Sequence, residues 1–431
     1  MKMKVRKIYF LLFLAPITYA KEQPNSFNVD LSATSQMSDN AKRQFYDYLA
    51  ISERQEIYSL GLNAKYDNDW SAASARYRVN RLVYAENSQP EYSMLEGSSI
   101  FDLGGTYQPL HLNITHSSRS LLTAPDALDI SSNRDERSII TVEPSLRWRI
   151  TDADLLQASI SSSDVAYKKL TEKNSDITGA HLVWIREITK VDSLKVEATS
   201  SKASFKTNSA LDYEFEAISA MYSVTLSHFK YGITIGSNRA IQNEQNLNFS
   251  RPSYDITASY LSAYNSFNVS LSQSISNSSM GNGNGSTFIE SSLESSGTGL
   301  DLINLKTSGV TWTTSAICER CSLSLAAEDS KEEYQILPED TELKKIKGSF
   351  AYRIGRSGVL DLSYADIRRK FPTSLNDNRD FGTKSYTASY AHTFKNKVSV
   401  RVFSTKYEND SAYIYNSYDE NITGLTLSYS F

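Results

Sequence analysis

Residues Gly424–Phe431 read GLTLSYSF. Leu425, Leu427, Tyr429 and Phe431 fall on one side of an extended chain, and Thr426, Ser428 and Ser430 on the other, because successive side chains of a strand point to opposite faces. One face is apolar and the other carries hydroxyls, so the two need different solvents. An aromatic residue ending such a strand suits the interfacial girdle of a membrane barrel, where lipid-facing and lumen-facing residues alternate. The soluble alternative is an amphipathic edge strand, whose last residues would usually fray.

The stretch resembles the C-terminal signal of bacterial outer-membrane β-barrels, in which a terminal Phe, an aromatic two residues earlier and an upstream Gly are read by the assembly machinery. That resemblance implies an assembly signal at Gly424, Leu427, Tyr429 and Phe431. It also implies the barrel assembly machinery and periplasmic chaperones as partners. Ile422 departs from the pattern, which prefers a polar residue there.

At the other end, Lys2, Lys4, Arg6 and Lys7 precede a short apolar run, Ile8 to Ala15, then Pro16 and Thr18-Tyr19-Ala20. This is the layout of a secretory signal peptide cleaved after Ala20. The run is too short for a spanning helix, and no comparable run follows it. The expected organisation is a leader at 1–20 and a single unit at 21–431. Losing the leader's four positive charges takes the formal charge from −4 to −8, which suits a soluble surface and says nothing about fold. Mean hydropathy is negative, yet the chain holds 27 Tyr and 17 Phe against 9 Pro. A barrel with a wet lumen is hydrophilic on average because only alternate residues meet lipid.

Period-two alternation recurs along the chain, as in Asp255–Asn265, Ser266–Ser274, Leu194–Thr199 and Lys397–Ser404. Short connections, near Tyr66–Trp70, Ile150–Asp154, Ile188–Asp192, Gly355–Gly358 and others, alternate with long polar stretches such as Ser117–Ser138, Ser237–Pro252 and Asn277–Gly299. Sorting by length is the pattern of outer-membrane barrels, with the short side periplasmic. The predicted fold is all-β: one transmembrane antiparallel up-and-down barrel of about 18–20 strands in the bacterial outer membrane, bathed by its lipid. Ser38–Glu56 reads as an external loop, a short helix (Phe45, Tyr48, Leu49 and Ser52 at helical spacing) or a plug-like excursion. Asn277–Gly299 reads as a flexible external loop or, less simply, a gate.

Cys318 and Cys321 flank a predicted periplasmic turn and are disulfide candidates, since the periplasm oxidises thiols; free thiols and a redox pair are the alternatives. The five histidines show no chelating or catalytic spacing, and no catalytic residues, metal or cofactor are expected. Polar faces carry Arg76, Arg78, Arg147, Arg149, Lys195, Glu197, Lys345, Lys347, Arg353, Asp361 and Arg401, with Glu214 and Glu216. Charges at membrane depth face water or one another, so these residues are expected to line a pore or to pair across the lumen. Nucleic-acid modules are absent.

Phe27–Asn40 (FNVDLSATSQMSDN), Asn133–Asp154, Asn174–Ser193 and Gly236–Arg239 resemble the large barrels associated with exosortase (PEP-CTERM) systems. That resemblance implies an outer-membrane barrel from an exopolysaccharide locus and offers no catalytic residues. The expected function is a conduit or assembly component for exopolysaccharide or another surface polymer. A general or substrate-selective porin and a structural or adhesive barrel are the alternatives.

Overall fold

The structure is a computed structural model that describes residues 25–105, 108–124, 127–242, 247–277, 302–335, 340–372, 379–395 and 397–431. The leader and its Ala20 cleavage position lie outside the described residues, as does nearly all of Asn277–Gly299.

The described residues form twenty strands: β1 (Ser26–Ser38), β2 (Glu53–Asp67), β3 (Ser71–Tyr84), β4 (Tyr92–Leu103), β5 (Leu110–Leu122), β6 (Arg134–Arg149), β7 (Asp154–Tyr167), β8 (Ser175–Glu187), β9 (Asp192–Phe205) and β10 (Tyr213–Thr225), then β11 (Phe229–Gln242), β12 (Leu247–Leu261), β13 (Asn265–Asn277), β14 (Leu302–Thr314), β15 (Cys321–Tyr334), β16 (Thr341–Ile354), β17 (Gly358–Lys370), β18 (Phe381–Thr393), β19 (Val398–Ser411) and β20 (Tyr418–Ser430). Each pairs antiparallel with the next. Nine pairs from Asp30↔Ser430 to Ser38↔Ile422 join β1 to β20 and close the sheet. The count is twenty, the upper end of the expected range, with the weakly patterned Phe27–Ser35 and His111–His116 inside β1 and β5.

Connections at the periplasmic end span three to six residues (68–70 and 104–109 are the extremes). At the other end run L1 (39–52), L2 (85–91), L3 (123–133), L4 (168–174), L5 (206–212), L6 (243–246), L7 (278–301), L8 (335–340), L9 (371–380) and L10 (412–417). Several are shorter than their sequence suggests, because the strands reach further. The stretch 237–252, expected as a loop, is mostly β11 and β12. A tilted strand crosses a bilayer in about 9–11 residues, whereas these strands have 12 to 16. Their upper ends stand clear of acyl chains, so both faces are polar there and alternation fades. In that upper zone Lys306, Lys331 and Lys344 occupy outward positions and form ion pairs, the first two with Glu333 and the third with Asp329.

Directly opposed residues share a face, so the register sorts every strand into a lipid side and a lumen side. On β20, Leu425, Leu427 and Tyr429 are exposed outward, while Thr426, Ser428 and Ser430 turn inward. All four tryptophans cluster toward the periplasmic end: Trp70 in its turn, and Trp148, Trp184 and Trp312 outward near the ends of β6, β8 and β14. With Phe27, Tyr264, Phe394 and Phe431, also exposed, they make the interfacial girdle expected of amphipathic rings. Among the described residues no helix is long and apolar enough to cross a membrane. Helical pieces among the described residues are three-residue 3-10 turns, and the helix considered for Ser38–Glu56 shrinks to Asp47–Leu49.

Candidate functional site

The inner wall is lined with hydroxyls, and these bond to one another across strands. Thr34 meets Thr426 at 2.8 Å, Thr141 meets Ser163 at 2.8 Å, Ser193 meets Ser223 at 2.8 Å, Thr313 meets Ser324 at 3.1 Å and Thr387 meets Thr405 at 3.0 Å. A hydroxyl has one donor and two acceptor sites, so each pair holds the wall together and still accepts from water. A cavity of about 1120 Å³ lies against this wall, bounded by β4 to β15; Ser and Thr such as Ser161, Thr257 and Thr311 line it together with the apolar Phe215, Ile275 and Leu305.

Register places all ten pore-lining candidates on the inner face: Arg76 and Arg78 on β3, Arg147 and Arg149 on β6, Lys195 and Glu197 on β9, Lys347 and Arg353 on β16, Asp361 on β17 and Arg401 on β19. Lys345 joins them on β16, 3.9 Å from Glu328. Glu214 and Glu216 do not belong there. Glu197 pairs with Ser219 across β9 and β10, an odd step from Glu216, so both glutamates face outward above the apolar belt. Tyr213 and Phe215 alternate with these glutamates, so their apolar face reads as the lipid side, whereas it is the inner face and packs inside the barrel.

Lys195 and Glu197 pair along their own strand at 2.6 Å, and Arg147 donates to Gln157 at 3.0 Å. Among the described residues, Lys65, Arg78, Arg149, Lys230, Arg353 and Arg401 face the lumen with no carboxylate at ion-pair distance, and Asp102, Asp255 and Asp361 face it with no cationic partner. Most of these bases sit near the periplasmic ends of their strands. Unpaired charges at membrane depth require water, so this half of the lumen is hydrated.

The extracellular half is filled differently. Inward residues of β9, β10 and β11, including Ala203, Phe205, Tyr213, Phe215 and Ala240, form an apolar cluster with Ile275 and Leu302. Strands β12 and β13 stay paired only from Tyr254↔Gln273 to Leu261↔Ser266. Above that, the tip of the β13–β14 hairpin leaves its neighbour and packs on the inner wall. A second cluster, Leu121, Ile139, Val165 and Tyr167, continues the fill around the wall.

Loops complete the mouth. Arg43 of L1 adopts φ 54° and turns inward, where its Nε donates to Glu420 Oε2 at 3.0 Å and its guanidinium to the Asp129 carbonyl of L3 at 2.7 Å. The rings of Tyr407 and Tyr418 lie 5.4 and 5.1 Å from it, and Arg134 holds Asp129 from the other side. Burial alone would lower the pKa of this guanidinium. Tyr418, Glu420 and Asp129 outweigh it and hold the pKa above the ordinary arginine value, so the charge is permanent. Gln89 of L2 ties the loops together, donating to Ala41 of L1 and accepting from the Ser131 amide of L3 at 2.8 Å. L1 is thus the external loop among the three readings of its sequence, rooted in the mouth by Arg43 while Tyr46 and Tyr48 at its tip stay exposed.

Cys318 and Cys321 are bridged, with Cα atoms 5.2 Å apart. Gly424 faces inward beneath the Phe403 ring, where a Cβ would come within 2.6 Å of that ring, which gives this glycine a packing role of its own. Leu427, Tyr429 and Phe431 face lipid, the last two rings edge to face at 4.6 Å. One polar chain was missed in the sequence. On the outward face of β3 to β6, the Tyr77 hydroxyl bonds both Ser99 Oγ and His116 Nδ1, and His116 Nε2 bonds Ser138 Oγ. Only the cross-strand register brings them together. No group of residues able to hold a metal occurs among the described residues.

No protein-family model matches the sequence, and no curated protein matches it. Solved structures do. The siderophore receptor PirA from Acinetobacter baumannii aligns with a TM-score of 0.50 at 9% identity, over 95% of this chain and 81% of that one. The fold is that of bacterial outer-membrane β-barrels. OpdK of Pseudomonas aeruginosa, solved with vanillate, aligns with a TM-score of 0.39 at 9% identity, over 94% and 98% of the two chains. A loop-deletion form of OmpT from Vibrio cholerae gives 0.37 at 10% identity, over 94% and 99%. The closed sheet, its aromatic girdle and this fold place the chain in the bacterial outer membrane.

Proposed function

We propose that this barrel is a passive conduit for a hydroxyl-rich polymer, an exopolysaccharide or similar surface glycan, crossing the outer membrane. The observation that carries the reading is the cavity of about 1120 Å³, whose mixed lining is rich in Ser and Thr. A sugar entering such a lumen exchanges hydrogen bonds with water for equivalent bonds with Ser and Thr, so it is neither held tightly nor excluded, as conduction requires. The unpaired bases near the periplasmic end, among them Arg149, Arg353 and Arg401, would draw in acidic substituents of a polymer made below. The resemblance to exosortase-associated barrels supports the same substrate class.

A substrate-selective porin is the second reading, favoured by the narrowed extracellular mouth, which suits small solutes better than chains. Proteoliposomes loaded with labelled maltose or labelled dextran separate the two. Release of both supports the conduit. Release of maltose alone leaves the porin, and retention of both at high protein loading, with silent planar bilayers, sinks both.

A further inference from the structure

L1 and L10 meet outside the lumen in a cluster of five aromatic rings. Phe45 and Tyr46 lie 4.9 Å apart, Tyr46 and Tyr48 5.3 Å, and Tyr413 and Tyr415 5.4 Å, while Tyr415 reaches across to Phe45 at 6.5 Å and Tyr46 at 6.3 Å. Tyr48 is 79% exposed, Tyr415 54% and Tyr413 47%. An exposed apolar cluster of this kind marks an interaction site.

The rings are presented on built turns. Leu49 N–H donates to the Tyr46 carbonyl at 2.8 Å and Asn416 N–H to the Tyr413 carbonyl at 2.8 Å, each closing a 3-10 turn. Asn409 anchors L10 by donating to the Asn416 carbonyl at 2.6 Å, and Arg43 roots L1 in the mouth. Rings fixed in advance lose little entropy when they bind.

Their position selects the occupant. They lie on connections beyond the ends of β1, β2, β19 and β20, past the polar upper strand ends, so water and not acyl chain surrounds them. Four of the five are tyrosines, which offer an apolar face with a hydroxyl at its edge. A pyranose ring has the matching shape: a face of C–H groups that lies on an electron-rich ring, and a rim of hydroxyls that hydrogen-bonds around it. The aromatic surface also continues downward, since Arg43 of the same loop lies between Tyr407 and Tyr418.

We propose that this cluster is a saccharide-docking platform at the extracellular mouth; the ligand class rests on the conduit reading. The test is native affinity electrophoresis of the purified full-length barrel in gels containing dextran or hyaluronate. Wild type should be retarded by at least one polymer, and Tyr48→Ala/Tyr415→Ala should bind about tenfold more weakly, the loss expected for stacking contacts. The variant should keep wild-type heat-modifiable mobility and conductance. Unretarded wild type, or a variant retarded equally, overturns the platform, as does loss of a protein partner by the variant without any polysaccharide effect. Silent bilayers with retardation intact would remove the conduit and leave the platform standing.

Discussion

Arg43 shows how one side chain can set the state of the mouth. Its side chain is 13% exposed and that of Glu420 3%, so the pair is largely out of water. Breaking a buried pair by removing one partner costs about 3–5 kcal/mol, because the remaining charge stays uncompensated. Arg43→Ala should therefore loosen L1 specifically. Amides it now protects, Ala41 N–H on the Ile51 carbonyl and Gln44 N–H on Asn40 Oδ1, should exchange at least about a hundredfold faster, at 1.4 kcal/mol per decade. Unchanged exchange would mean that Gln89 and the loop backbone hold L1 without it. None of this was legible beforehand. Glu420 lies 377 residues away and Asp129 86, and an arginine in a polar loop reads as a solvated one until the barrel closes and brings β20 beside β1.

At the scale of the strand, alternation was readable and its interpretation was mostly sound. Leu194–Thr199 and Lys397–Ser404 lie on strands with the faces the pattern gave them, because an apolar residue on every second position leaves one register compatible with lipid. The pattern failed where lipid stops acting. In 237–252 both faces are polar, so strand looked like loop, and on β10 the apolar Tyr213 and Phe215 beside Glu214 and Glu216 mark the packed inner face and not the lipid face. The inward Phe205, Tyr213 and Phe215 fail for the converse reason: they are apolar because they pack on one another and on the β13–β14 tip. Face assignment is testable on β7, where Ile160 is 63% exposed outward and Ser161 lines the cavity. Ile160→Arg should destabilise the barrel by about 2–4 kcal/mol, the cost of arginine near the bilayer midplane, read as a lower urea midpoint in liposomes. Ser161→Arg should leave that midpoint near wild type and lower conductance. Equal destabilisation would mean that Ser161 does not face water.

As a whole, the molecule lies between two regimes. Barrels of 16–18 strands leave an aqueous channel and those of 22 hold a plug; this one has twenty strands, a hydrated periplasmic half and an extracellular half narrowed by L1, L3 and inward apolar residues. A sheet with no free edge should survive SDS without heating. The unboiled protein should run faster than the boiled form on gels, and identical mobility would contradict a closed ring.

The seam between β1 and β20 also dictates an order of events. Thr34 bonds Thr426 across 392 residues of chain, while every other strand pairs with one it directly follows. Hairpins can zip early and locally, but this contact waits for the eighteen strands between, and contacts so distant in sequence form slowly. Until then both outer strands offer unpaired backbone to any passing strand. The interval before closure is the hazardous part of the protein's life, and the terminal strand that ends it must be shielded until its partner is within reach.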